Sequence, residues 1–105
     1  MGTKDLEIAR RFRQLIERNV TPCAVLMFGS RARGTASEDS DLDVLVSVER
    51  STREIEKFIS DCAWEAGFPE NVVVVPVVVE QQRLERGHLS ESAFIRNVLR
   101  EGVRV

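Results

Sequence analysis

Apolar positions along the chain recur with two different periods. Between Asp5 and Asn19, Ile8, Phe12, Leu15 and Ile16 keep the spacing that gathers side chains on one side of an α-helix. Arg10, Arg11, Arg13 and Arg18 fall on its polar side, interleaved with Glu7 and Glu17, as on a solvated face. Asn19 and Thr21-Pro22 stop the helix, because a proline disfavours helical backbone in the residue before it. Cys23–Phe28 (CAVLMF) is apolar without alternation, which predicts a short strand covered on both faces, and it closes on Gly29-Ser30. Arg31–Ser40 is polar and contains Gly34, a loop or a short helical turn. Leu42–Val48 reads as a second strand.

Ser51–Ala66 is the best-marked helix. Ile55, Phe58, Ile59, Cys62, Ala63 and Ala66 share one face, Ser51 and Glu54 fit a capping box, and Gly67 suits the C-terminal cap. Val72–Val79 predicts a third strand. Pro76 has no N–H to give a ladder, so that strand runs at an edge or bulges. Ser90–Arg100 reads as a last helix with Ala93, Phe94 and Val98 inward, Leu99 beside them, and Gly102 ending it.

The order is therefore α-β-β-α-β-α, an α/β (α+β) class with a small mixed sheet and helices packed against it. A helix between the second and third strands allows them to run parallel. The long loop between the first two leaves their relative direction open. At 105 residues this is one domain, 1–105. Hydrophobic residues make up 43% and charged residues 30%, a globular balance. The net charge of −2 argues against a general nucleic-acid coat or a polybasic membrane binder. The longest apolar run, Val72–Val79, is far too short to span a bilayer, and the first residues hold no signal-peptide core. Cys23 and Cys62 have no metal-like spacing and read as buried free thiols, as in a reducing, cytoplasmic setting. His88 is the single histidine, which excludes a His-rich metal centre.

One segment carries chemistry. Gly29-Ser30 closes a strand, ten residues follow, and Asp41-Leu42-Asp43 opens the next. Two residues apart on a strand, Asp41 and Asp43 project from the same face. Two adjacent carboxylates repel, and a divalent cation relieves that repulsion. Mg²⁺ is held by one or two carboxylates together with water and phosphate oxygens. Opposite them, a Gly-Ser turn lets backbone N–H groups approach an anion, Ser30 adds a hydroxyl, and Arg31 and Arg33 add guanidinium donors. An isolated Asp-x-Asp would read as no more than solvated acids where a strand begins. Joined to the strand, the Gly-Ser turn and the spacing, it points to a magnesium–nucleoside triphosphate.

The stretch GSRARGTASEDSDLDVLV resembles the signature of the minimal nucleotidyltransferases, a branch of the DNA polymerase β-like superfamily. The tail FIRNVLREGVRV is similar to the ending common in that branch. The resemblance implies a polymerase β-like fold in which Gly29 and Ser30 contact the triphosphate and Asp41 and Asp43 hold two Mg²⁺ ions. Arg31 and Arg33 are further phosphate candidates. It also implies in-line attack on the α-phosphorus, with ATP the expected nucleotide, AMP the transferred group and pyrophosphate leaving. Members of the branch often pair with a helical HEPN-type protein as toxin and antitoxin, so a side chain of such a partner is the implied acceptor.

The family's third carboxylate, on a neighbouring strand, has no counterpart here. Sequence order places that position at Val74. Glu70 and Glu80 lie too far along the chain to substitute, while Asn71, Glu38 and Asp39 are the remaining candidates. Two functions follow: an adenylyltransferase-like enzyme, or a nucleotide-binding module that neutralises its partner by occupying a surface. A third, RNA binding through the Arg face of the first helix, is disfavoured by the net charge and the scarcity of stacking aromatics, with no Tyr and one Trp. Trp64 stands off the apolar stripe of its helix, as a half-exposed packing residue or the mark of a partner surface. His88 reads as a surface or capping imidazole. Pro76 and the final VRV suggest edges open to a second chain, as in a homodimer or a hetero-complex.

Overall fold

A computed structural model describes residues 3–34, 40–86 and 92–105. Its elements are α1 (Thr3–Glu17), β1 (Ala24–Phe28), α2 (Gly29–Arg33), β2 (Leu42–Val48), α3 (Arg53–Gly67), a 3-10 turn (Phe68–Glu70), β3 (Val74–Glu80), α4 (Gln81–Arg86), α5 (Ala93–Glu101) and β4 (Val103–Arg104). The strands form one mixed sheet in the order β3-β2-β1-β4. β1 and β2 are antiparallel, with Phe28 opposite Asp43, and β2 and β3 are parallel, with Asp43 opposite Val75.

Alternation along the strands divides the apolar residues between two faces. Val25, Met27, Leu42, Val44, Val46, Val48 and Val74 meet Ile8, Phe12 and Ile16 of α1 and Ile59, Cys62 and Ala66 of α3. On the other face, Leu26, Leu45 and Val79 meet Ile95 and Val98 of α5. The unalternating β1 is thus covered on both sides, as its composition predicts. Asp41 and Asp43 alternate with buried Leu42 and so share the face partly covered by α5.

Pro76 lies on the edge strand. Leu42 N–H donates to Val73 C=O at 2.8 Å. In a parallel ladder the odd residues of β3 then face β2, and Pro76 turns its missing N–H outward.

Several details differ from the sequence reading. The N-cap of α3 is Thr52, whose Oγ1 accepts from Ile55 N–H at 3.1 Å, while Ser51 N–H is taken by Glu80 at 2.9 Å. Ile95 and Val98 form the buried face of α5, and Phe94 and Leu99 are about half exposed. Cys23 is exposed, one residue outside the strand, and only Cys62 is buried. The C-terminal VRV pairs within the chain: β4 runs antiparallel to β1 and forms an edge of the sheet. Val105 also accepts from the Arg13 guanidinium. His88 falls outside the described residues.

Candidate active site around Gly29 and Asp43

Because Phe28 pairs with Asp43, the residue after Phe28 meets the Asp43 side chain. A Cβ built on Gly29 would lie 2.5 Å from Asp43 Oδ2. The carboxylate therefore rests on the Gly29 backbone, in space that a side chain would otherwise fill. Gly29 has φ +81°, a backbone that L side chains avoid, and Gly34 closes α2 with φ +77°. The turn after β1 thus requires glycine twice over, by its dihedral angle and by the approach of an acid.

Asp43 is half-buried and Asp41 is exposed at the mouth of the strand. Burial first, and the charge of Asp41 second, push the Asp43 carboxyl above the ordinary aspartate value. Two acids on one face suit a divalent cation, and two carboxylates match the protein share of a Mg²⁺ shell. Among the described residues no third acid, His or Cys joins them.

The third-carboxylate position is corrected by the register. Val74 pairs with Leu42 and faces the α1/α3 layer at 7% exposure. Paired residues of parallel strands share a face, so the neighbour of Asp43 is Val75. One residue of slip exchanges the two faces, which is why chain order alone misplaced it. Glu70 sits in the 3-10 turn with Lys4 at 3.3 Å, and Glu80 caps Ser51 at the far end of β3. Asn71 follows Glu70 in a left-handed conformation, φ 57°. Glu38 and Asp39 fall outside the described residues.

The remaining candidates separate. Gly29 and Ser30 form the first turn of α2 beside Asp43. Arg31 instead points back into the protein. Its Nε donates to Ser40 C=O at 2.7 Å and its Nη1 to Asp5 Oδ1 at 2.8 Å, with the two side chains only 10% and 13% exposed. Arg33 belongs to α2, and its side chain falls outside the described part. Two cavities flank the turn. One, about 390 Å³, is lined by Lys4, Arg31, Glu70, Asn71 and Val72. The other, about 230 Å³, is lined by Phe28, Gly29, Phe94, Asn97, Val98 and Glu101, with the rings of Phe28 and Phe94 edge to face at 5.5 Å.

Sequence reasoning gave Asp5 no role, and it read Phe94 as inward, whereas its ring meets Phe28 and lines the smaller cavity. Asp5 looks like an ordinary acid in the first turn of a helix, and nothing in the pattern shows that it reaches Arg31.

The model of the nucleotidyltransferase domain family matches residues 7–105. The chain belongs to that family. The sheet order and helix layers are those of the polymerase β-like nucleotidyltransferase fold. A solved toxin–antitoxin structure with AMP-PNP aligns over 91% of this chain and 70% of its own, with a TM-score of 0.62 and 18% identity. A Sulfolobus solfataricus structure described as a candidate nucleotidyltransferase aligns over 99% of this chain and 87% of its own, at 0.50 and 19%. At these identities the likeness is one of fold. No curated protein matches the chain in sequence. No helix among the described residues is long and apolar enough to cross a membrane.

Proposed function

We propose that this nucleotidyltransferase domain uses Mg²⁺ and ATP to transfer AMP to a hydroxyl of a partner protein. The observation that carries this reading is the Asp43 carboxylate lying on the Gly29 backbone, with Asp41 on the same face. Asp41 and Asp43 would hold the metal, which when bound polarises phosphate oxygens and offsets their charge. The Gly29-Ser30 turn orients the triphosphate, through backbone N–H groups and the Ser30 hydroxyl. The partner's hydroxyl oxygen attacks the α-phosphorus in line, the bond to the bridging oxygen breaks, pyrophosphate departs, and the hydroxyl proton passes to solvent or a nearby base. The toxin–antitoxin neighbour supports a partner-directed role, and a HEPN-type helical protein is the partner the motif resemblance implies.

A second reading is favoured by one observation: Val75, not an acid, stands beside Asp43. Loss of a catalytic base costs roughly 10²–10⁴-fold in rate, yet leaves binding intact. The protein would then neutralise its partner as a nucleotide-bound module.

Melting with and without Mg²⁺-ATP tests the site. The nucleotide raises the Tm of the wild type, and the Asp41→Asn/Asp43→Asn double variant loses most of that rise. A wild type that does not respond refutes both readings. Incubation with α-labelled ATP and the product of the neighbouring gene separates them. Label that moves to the partner, and vanishes in the double variant, establishes the transferase. Silencing without label establishes the module.

A further inference from the structure

We infer that Asp5 and Arg31 are positioning residues for the divalent cation, acting through the backbone that carries Asp41. This rests on the metal–nucleotide reading above, and it revises the expectation that the Arg31 guanidinium serves a phosphate.

β1 contributes its last paired residue, Phe28, opposite Asp43. Asp41 lies two residues beyond that pair and receives no partner from β1. On the β3 side the chain is tied at Leu42, through its N–H to Val73 C=O. On the other side the tie is a side chain: Arg31 Nε holds Ser40 C=O at 2.7 Å, immediately before Asp41. Arg31 is itself only two residues after Gly29, so one guanidinium joins the phosphate turn to the approach of the first carboxylate. Asp5 of α1 fixes that guanidinium through Nη1 at 2.8 Å, at a site with both side chains nearly buried. The three groups fix the spacing between the Gly29-Ser30 turn and Asp41, the separation that metal and triphosphate must bridge.

Arginine is required by geometry. Its Nε and Nη1 point along different directions from a rigid plane and serve a carbonyl and a carboxylate together, whereas a lysine ammonium is one point on a flexible stem. Partners that orient metal ligands without touching the metal are typically worth about 10–100-fold in metal affinity.

The test measures the Mg²⁺ concentration that gives half of the ATP-induced rise in Tm, with Mn²⁺ binding followed by electron paramagnetic resonance as a readout free of nucleotide. Asp5→Asn and Arg31→Lys are expected to raise the half-saturating concentration about 10–100-fold. Asp5→Glu, which restores a carboxylate, is expected to recover most of it. Ile59→Val, buried against the opposite face of the sheet, is the control. It lowers Tm by simple loss of packing and leaves the metal requirement unchanged. Wild-type metal half-saturation in both Asp5→Asn and Arg31→Lys overturns the inference while leaving the nucleotide site intact. A shift in Ile59→Val equal to theirs also overturns it, because general destabilisation then explains the effect. A wild type with no metal-dependent response overturns the functional reading, and this inference with it.

Discussion

Replacing Gly29 with alanine perturbs the site by one methyl group, and the structure allows its two consequences to be separated. At φ +81° an L residue pays about 1–2 kcal/mol in backbone strain. Alanine also restricts the unfolded chain, which offsets about 0.4–1 kcal/mol. The net loss is about 1 kcal/mol, or roughly 4–8 °C in Tm for a domain near 100 residues. The second consequence is local. The new Cβ would meet Asp43 Oδ2 at 2.5 Å, and the obstacle is the end of a side chain, so the carboxylate swings away before the backbone moves. Binding therefore suffers more than folding. Thermal melts followed by circular dichroism, with and without Mg²⁺-ATP, read both effects. Gly29→Ala is expected to lose a few degrees alone and to lose nearly all of the ligand-induced rise. A variant that melts lower yet keeps the full rise would show that the contact between Gly29 and Asp43 has no part in binding.

Three further predictions follow from burial and register. The folded chain holds the Asp43 proton more tightly than the unfolded chain does, so that stabilisation is full below the ordinary aspartate range and is lost as pH rises through the raised folded value. Asp43→Asn should accordingly flatten the metal-free stability profile above about pH 4 and raise Tm at neutral pH, and an unchanged slope counts against the shift. Val74→Asp buries a carboxylate among α1 and α3 and should cost about 3 kcal/mol or more, whereas Val75→Asp, beside Asp43, should fold and bind Mg²⁺ more tightly; equal melts for the two would overturn the β2–β3 register. Ser47 is fully buried with no hydrogen-bond partner for its hydroxyl among the described residues, so Ser47→Ala should be neutral or about 1 kcal/mol stabilising by chemical denaturation.

The apolar pattern placed α1 and α3 by their helical spacing and β1, β2 and β3 as short apolar runs. The stripe of Ile8, Phe12, Leu15 and Ile16 is buried as the spacing predicts. The strength of the pattern falls with length. α4 and β4 are too short to carry a period, and α5 turns Ile95 and Val98 onto Leu26, Leu45 and Val79 of the sheet. Val103 and Arg104 were legible as a short segment open to pairing, but not as the fourth strand of this sheet.

For the site, local chemistry was enough to single out Gly29, Ser30, Asp41 and Asp43. The strand's period of two puts both acids on one face, and a turn that needs glycine follows the neighbouring strand. What lay beyond reach was every relation across elements. The neighbour of Asp43 on β3 depends on register, and a slip of one residue makes Val74 stand where Val75 does. The role of Arg31 depends on Asp5, which is near it in space and 26 residues away in sequence. Spacing along a chain encodes which side chains share a face of their own element. Only packing decides which faces meet, because that choice is made by the summed burial of residues that have no local signal of one another.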